Sequence, residues 1–366
     1  MKRRMLPASV LTEAWRDFLT GTSRALLWAG VFLATVGLVA VFDVRSVVTV
    51  IQGAASFQQT GGATQVLAAQ GQIDGQRCQA LSGVGGIASA GAVRQGTPVV
   101  ALNMPSTPIG VVEATQGVID MLPVIALPYE ANSSVSGGVW LSADLAQMLG
   151  AAPGNVIHTA DGTATVAGVY TWPDDGRSRD LGYAMVVPVP PEGVFDQCWA
   201  QVWPPDVDLA NLLFDAANGD VTPGNGVKMG QLNVSQGATY DAARLLASRP
   251  TRQAGWAGGT IGLVLGYAAV RARRLEVASS LHAGVPKPHL AWQHLLETAI
   301  WTLGVSMITA AGLLWAARLG NPDPSWTTWT AGLRTIAAGA AGTLIGAVLG
   351  VVTTREKDLF RYTKDR

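Results

Sequence analysis

The segment "RARRLEVASSLHAGVPKPHLAW", residues 271–292, lies between two apolar runs and determines how the whole chain is interpreted. Three arginines stand within its first four positions, and a short helical pattern follows them. Gly284 and the pair Pro286 and Pro288 predict a sharp end to that helix, because glycine accepts a left-handed backbone and proline has no amide hydrogen to donate. We therefore expect a short, stiff, basic helix between two hydrophobic segments.

Four apolar stretches pass the length test for a membrane helix, which requires about 18 or more residues with few charges. The composition agrees, since the mean hydropathy is +0.28 and only 14% of the residues are charged. The predicted spans are residues 25–44, 253–270, 293–318 and 331–353. They predict a four-helix membrane bundle with one span before, and three spans after, a large extracytoplasmic domain of residues 45–252.

The first stretch is better interpreted as a retained helix than as a cleaved signal peptide. The run "VFDVRS" that closes it offers no small-residue cleavage site. Before it, Leu11, Trp15, Phe18 and Leu19 share one helical face, which predicts an amphipathic helix on the inner membrane surface within residues 1–24. The alternative for that segment is simply the solvated end of the first span.

Lysine and arginine are distributed unevenly, and this distribution predicts the orientation. Residues 1–24 hold five, residues 271–292 hold four and residues 354–366 hold five, whereas the long segment 45–252 holds nine. Because basic residues are retained on the cytoplasmic side, both termini and the 271–292 loop are predicted to be cytoplasmic. The loop at 319–330 and the large domain are then outside. The excess of arginine over lysine is typical of a GC-rich, bacterial genome, and with the predicted spans and orientation we expect the chain in a bacterial cytoplasmic membrane.

The large domain has the sequence pattern of an α+β fold. Ser142 is a predicted N-cap and Gly150 a predicted end of one short helix, and residues 156–170 predict a hairpin that turns at Asp161-Gly162. Cys78 and Cys198 are the chain's two cysteines. An even pair on the oxidising side predicts a disulfide, with two separate buried thiols as the alternative.

Two spans carry glycine at every fourth position. Such rows allow helix backbones to approach closely, within a protomer or across a dimer. The alternative is that glycine is merely tolerated in spans rich in glycine and alanine. The predicted packing residues are Gly258, Gly262 and Gly266 in the second span, and Gly342, Gly346 and Gly350 in the fourth.

The chain lacks the usual motifs of an enzyme or a nucleic-acid binder. A net charge of zero argues against nucleic-acid binding. There is no phosphate-binding G-x-x-x-x-G-K-[ST] loop, so we expect the chain to bind neither ATP nor any other cofactor. The histidines have no obvious Asp or Cys partner in sequence, and we predict no catalytic residue and no metal site; they are His158, His282, His289 and His294.

The loop, together with this topology, resembles the FtsX-like and MacB-like ABC transporter permease family, the mechanotransmission type without a fused ATPase. The segment "RLEVASSLHAGV" is similar to the family pattern R-x-E-[IV]-G-x-L-R-A-x-G-[AV], and Glu297 stands where the family has a Glu at the start of its third span. The segment "VWLSADLAQMLGAAPGNVI" with "TATVAGVY" is similar to the core domain of MacB-like members. The loop matches at Arg274, Glu276, Val277, Gly284 and Val285 and departs from the pattern at Ala278, Ser280, Leu281 and His282.

The resemblance implies the permease subunit of an ABC transporter that exports or expels a peptide, an antibiotic or a lipid-linked substrate. Its expected partners are itself as a homodimer, two copies of a separate ATPase that binds ATP and Mg²⁺, membrane lipid, and an extracytoplasmic accessory protein or lipoprotein. The loop arginines 271, 273 and 274 would lie at anionic headgroups, and Glu276, Val277 and Leu281 would face the ATPase. The full set of ATPase-coupling residues is Arg274, Glu276, Val277, Leu281 and Gly284.

Three other functions remain open at this point. An FtsX-type regulator would switch a cell-wall hydrolase without transport. A membrane-anchored receptor would need no ATPase at all. A lipoprotein-extracting permease would require an outer membrane to receive its cargo.

Overall fold

The computed structural model describes residues 24–125, 137–204, 212–218 and 227–355. The predicted surface helix of residues 1–24 and the predicted tail 354–366 lie outside these ranges except for Arg24, Thr354 and Arg355. The chain divides into two units, with boundaries between Gly53 and Ala54 and between Asp241 and Ala242. One unit is helical, and the other is built on a β-sheet.

Long apolar segments form most of the helical unit. Its helices are α1 (Ala25–Gln59, with a π-helical turn at Leu33–Gly37), α5 (Ala242–Ser248), α6 (Ala254–Ala272), α7 (Arg274–His282), α8 (Lys287–Arg318) and α9 (Ser325–Thr353). In the described part of the chain, α1, α8 and α9 are long and apolar enough to cross a membrane, judged by length and composition alone. The 19-residue α6 is not among them, because its glycines, Trp256, Tyr267 and the charged Arg271 lower its mean hydropathy. The four-span arrangement therefore stays a prediction.

Glycine rows on α6 and α9 bring the two helix backbones into direct contact. A Cβ at Gly262 would overlap the carbonyl group of Gly339, and a Cβ at Gly266 would overlap that of Thr343. From the other side, a Cβ at Gly346 would overlap the Leu263 carbonyl. Where lipid supplies no hydrophobic driving force, such close approach is a main source of helix association. The remaining predicted glycines lie in the same contact: Gly258 beside Thr335, Gly342 beside Gly259, and Gly350 beside Val270.

The second unit is built on a mixed ten-stranded sheet. Its strands are β1 (Thr64–Asp74), β2 (Ile87–Gln95), β3 (Val99–Val100), β4 (Pro108–Ala114), β5 (Val139–Ser142), β6 (Val156–Thr159), β7 (Gly162–Tyr170), β8 (Ala184–Pro188), β9 (Val194–Val202) and β10 (Lys228–Gln231). They lie in the order β10-β1-β9-β2-β4-β8-β5-β7-β6, and β3 pairs with β4. The pairs β4/β8 and β5/β7 are parallel, and the others are antiparallel. The α+β character predicted for this domain is confirmed.

Short helices connect the strands, and local sequence signals account for their ends. They are α2 (Gly75–Ala80), α3 (Gln116–Ile119) and α4 (Ala143–Leu149). The Ser142 hydroxyl accepts the Leu145 amide at 3.4 Å, and Gly150 closes α4 with φ 63°. Asp74 caps α2 in the same way, by accepting the Arg77 amide at 3.0 Å. The predicted helix after Ser142 and the predicted β6–β7 hairpin are both confirmed.

The predicted disulfide is present. It joins Cys78 of α2 to Cys198 of β9, with a Cα–Cα distance of 5.8 Å. Both cysteines are fully buried in a core cluster with Leu67, Ile73 and Phe195. The bond therefore fixes α2 to β9, an interior strand of the sheet.

Candidate functional site

The loop helix α7 begins and ends at two backbone turns that its sequence explains. Arg273, between α6 and α7, leaves the helical conformation at φ −106° and ψ 23°. At the other end, Gly284 takes φ 86°, its amide donates to the Leu281 carbonyl, and the Val285 amide donates to the Ser280 carbonyl. This pair of bonds is the Schellman motif, which satisfies the last carbonyl groups of a helix. The boundaries of α7 are thus set locally.

One face of α7 is packed onto the rest of the helical unit. Val277 is 1% exposed, and its neighbour Ala278 is fully buried. Val277 belongs to a hydrophobic cluster with Val270 of α6, Leu290 of α8 and Val351 of α9, to which Leu281, Val285 and Ala291 add partial contacts. Val277 was expected to face a partner, but it is one of the side chains that hold α7 in place.

Arg273 holds the turn through two carboxylates. Its Nη1 donates to Glu297 Oε2 at 2.5 Å, and its Nε and Nη2 donate to the two oxygens of Glu276 at 2.7 and 2.5 Å. The side chains of Arg273 and Glu297 are only 12% and 5% exposed. Because Glu276 lies on α7 and Glu297 on α8, a single guanidinium joins the α6–α7 turn to both helices.

Glu297 is also held by its own helix. Gln293 donates from Nε2 to Glu297 Oε1 at 3.2 Å, and His294 Nδ1 lies 3.4 Å from Glu297 Oε2. These residues are one helical turn before Glu297, so they share its face of α8. His294 and Glu297 are both buried. Each oxygen of the buried carboxylate therefore has a polar neighbour, as a buried charge requires.

The electrostatics of the turn favour a charged arginine. Burial by itself lowers the pKa of Arg273, but the hydrogen bonds to Glu276 and the negative charge of Glu297 outweigh it, and the pKa lies above its usual value. A buried ion pair gives little net stability, yet removing one partner leaves an uncompensated charge. The cluster is therefore better suited to fixing the position of α7 than to adding general stability.

The opposite face of α7 is exposed. Glu276, Ser279 and Ala283 are exposed at helical spacing, and His282 and Gly284 lie beside them. Arg274 is half-buried at the first position of α7. Within the described residues there is no group of three or more His, Cys, Asp or Glu side chains that would hold a metal ion. A docked helix with an exposed face is suited to contact with another protein.

Two side chains differ from their expected roles for reasons that lie in the tertiary structure. Arg273 was expected at lipid headgroups with Arg271 and Arg274, but it turns inward to Glu297. His294 had no apparent sequence partner, yet it lies beside the same carboxylate. The sequence signal that could have indicated this cluster was the spacing of Gln293, His294 and Glu297, which places them on one helical face at the start of an apolar run.

No protein-family model matches the chain, and no curated protein matches it. Among solved structures, the periplasmic region of MacB from Actinobacillus actinomycetemcomitans aligns with a TM-score of 0.35 and 12% identity, covering 48% of this chain and 91% of that one. The extracellular domain of the noncanonic ABC-type transporter YknZ from Gram-positive bacteria aligns with a TM-score of 0.30 and 18% identity, covering 46% and 100%.

Proposed function

We propose that this chain is the transmembrane permease subunit of an ABC transporter, and that α7 is the surface on which a separate ATPase acts. The observation that carries the proposal is the arrangement of α7. Its inner face is buried through Val277, its first turn is held by the Arg273–Glu297 ion pair, and its outer face presents Glu276 and Ser279. A partner that pushes on such a helix moves the helices beneath it instead of deforming a loop.

The contacts of α7 with its neighbours define which helices would be displaced with it. Arg273 follows directly on α6, and its ion pair reaches α8. The Val277 cluster adds α9 to the same packed group, and the glycine contact holds α6 and α9 together. Packed helices transmit displacement because their interiors are dense and little compressible. A displacement of α7 would therefore be shared by α6, α8 and α9 as a group.

The proposed physiological unit follows the sequence resemblance. It is a homodimer bound to two copies of an ABC ATPase, which supplies ATP and Mg²⁺ binding, and this chain is itself not an enzyme. With N- and C-termini inside, the domain of residues 45–252 lies outside the bacterial cytoplasmic membrane. The buried Cys78–Cys198 disulfide supports that placement, since disulfides persist in oxidising compartments. The substrate class in this proposal is a peptide, an antibiotic or a lipid-linked molecule met on the outer side.

The test is purification of the tagged full-length chain from the membranes of its own host in mild detergent. We expect an ATP-binding protein to accompany it and the purified complex to hydrolyse ATP. The variant Ala283→Arg, on the exposed face at the end of α7, should lose the partner, whereas Arg318→Gln, exposed at the end of α8, should keep it. Recovery without any ATP-binding protein would favour the membrane-anchored receptor. A complex that hydrolyses ATP but activates a bound cell-wall hydrolase without moving a substrate would favour the regulator.

A further inference from the structure

The end of α6 opposite Arg273 carries an arginine-rich pocket within the helical unit. Its volume is about 390 Å³, and it is open on one side. Its charged lining comes from α1, from the segment before α6 and from α9. These charged residues are Asp43, Arg249, Arg252 and Arg334.

Positive charge in this pocket exceeds negative charge. Asp43 is the one acidic residue of the lining, and it lies 3.4 Å from Arg249 Nη2. Arg252 donates to the Ala247 carbonyl at 3.4 Å, and neither it nor Arg334 has a carboxylate partner among the described residues. Asp43 neutralises one arginine at most, so the pocket keeps the charge of about two guanidinium groups.

Several buried polar atoms of the pocket are also left without a hydrogen bond in the described part of the chain. They are Asp43 Oδ1, Arg249 Nε and Thr335 Oγ1. Thr335 lines the pocket but is only 1% exposed, and its hydroxyl is buried. Buried polar groups in folded proteins nearly always have partners, so these atoms require a partner that the described residues do not supply, such as a water molecule or an ion. Two of these three atoms, Arg249 Nε and the Thr335 hydroxyl, are hydrogen-bond donors that lie beneath the accessible surface.

The rest of the wall is apolar. Gly255, Ala331 and Ala338 leave space, and Trp256 is 83% exposed at the rim. Arg334 is exposed on α9, at the fourth residue of the predicted span 331–353, beside this apolar wall. An occupant must therefore offer an anion next to hydrocarbon.

We propose that this pocket binds the phosphate of an anionic amphiphile, with the phosphate oxygens between Arg249, Arg252 and Arg334. Arginine suits this role because its planar group donates two parallel hydrogen bonds to a phosphate. On the predicted orientation the pocket lies at the outer end of the span, where a lipid headgroup reaches it. The inference does not depend on the ATPase partner, because it uses residues at the other end of α6.

The test measures binding of two fluorescent lipids to the full-length chain in detergent, phosphatidylglycerol and phosphatidylcholine at equal acyl length. We expect phosphatidylglycerol to bind more tightly, and the double variant Arg252→Gln/Arg334→Gln to weaken its binding by about tenfold or more, because a charge-assisted hydrogen bond is worth about one factor of ten. The control Arg318→Gln removes an exposed arginine at the end of α8, outside the pocket, and should leave binding unchanged.

A second variant and a competition arm complete the test. Asp43→Asn keeps the shape of the residue but removes the competing carboxylate, so it should tighten phosphatidylglycerol binding. Inorganic phosphate at millimolar concentration distinguishes the sources of the anion: displacement of the lipid identifies free phosphate as a ligand, and no displacement identifies the headgroup of a lipid. Equal binding of both lipids, or equal loss in Arg318→Gln and in the double variant, would overturn the proposal.

Discussion

Arg273 and Glu297 are 24 residues apart in the chain, and they form a buried ion pair that ties the start of the loop helix α7 to the apolar helix α8. Glu276 accepts two hydrogen bonds from the same guanidinium, and His294 lies beside the glutamate. The charges of Arg273, Glu276 and Glu297 are therefore coupled, and removing one or another of them should lower the stability of the chain by different amounts.

Arg273→Met should be the more harmful of two single substitutions. It leaves Glu297 buried without its arginine, which costs about 3 kcal/mol for an interrupted buried pair. Glu297→Met should cost less, since Arg273 keeps Glu276. Thermal unfolding in detergent, followed by tryptophan fluorescence, should place the midpoint of Arg273→Met below that of Glu297→Met.

The double variant Arg273→Met/Glu297→Met provides the control for that comparison. With both charges gone, no charge is left buried without its partner, so the double variant should be more stable than Arg273→Met alone. The effects of the two substitutions on the free energy of unfolding are then not additive, as is usual for residues in contact. Strictly additive midpoints would show that the two side chains do not interact in the membrane protein.

Gly262→Ala should separate α6 from α9. The added Cβ overlaps the backbone carbonyl of Gly339, which cannot move aside as a side chain end can. Overpacking of this kind costs about 1–3 kcal/mol and should lower the unfolding midpoint. Gly255→Ala on the same helix meets no atom within 4 Å and is the matched control. A Gly262→Ala variant as stable as Gly255→Ala would contradict the close contact.

The Cys78–Cys198 bond closes a loop of 120 residues in sequence separation, so it should contribute about 4–5 kcal/mol by restricting the unfolded chain. When membranes are treated with a thiol-alkylating reagent and analysed by mass spectrometry, neither cysteine should be labelled until a reductant is added. The variant Cys78→Ser/Cys198→Ser should then unfold at a lower temperature than the oxidised chain. Labelling of both thiols without reductant would contradict the bond.

Asp175 should make the sheet domain sensitive to acid. The pKa of Asp175 lies below its usual value, chiefly because its carboxylate accepts a hydrogen bond from the Arg177 guanidinium. Arg177 Nη2 lies 2.6 Å from Asp175 Oδ2. A lowered folded-state pKa stabilises the fold above the unfolded-state pKa, about 3.9, and this stability is lost as the pH falls through the folded-state value. Asp175→Asn should therefore be less stable than the parent chain at pH 7, and the difference should shrink below about pH 4. A difference that stays constant from pH 7 to pH 3 would assign the effect to packing.

The sequence allowed the local features of the sheet domain to be predicted, because their determinants are close in the chain. Ser142 and Gly150 mark the ends of α4, and Asp161-Gly162 indicates the hairpin, although its two loop residues are Ala160 and Asp161. The order of the strands was not predictable in this way. The parallel pairing of β4 with β8 joins segments about seventy residues apart, and nothing in either strand specifies the other.

The charged loop shows the same division between local and distant information. The end of α7 at Gly284 follows from glycine and proline. The inward orientation of the Arg273 side chain does not follow from the local sequence, because the positive-inside rule treats every loop arginine as a surface group. Only the packing of α7 on α8 brings it to Glu297. The burial of Val277 has the same origin, because the cluster that covers it comes from three other helices.

The most direct measurement of the central claim is photo-crosslinking from the outer face of α7. A benzoylphenylalanine at position 279, where Ser279 is exposed, is activated in membranes of the native host, and the same probe at position 192, where Glu192 is exposed in the sheet domain, is the control. The account predicts that position 279, but not position 192, crosslinks to a protein that carries an ATP-binding motif. A crosslink to that protein from position 192 instead, or to no ATP-binding protein from position 279, would contradict it.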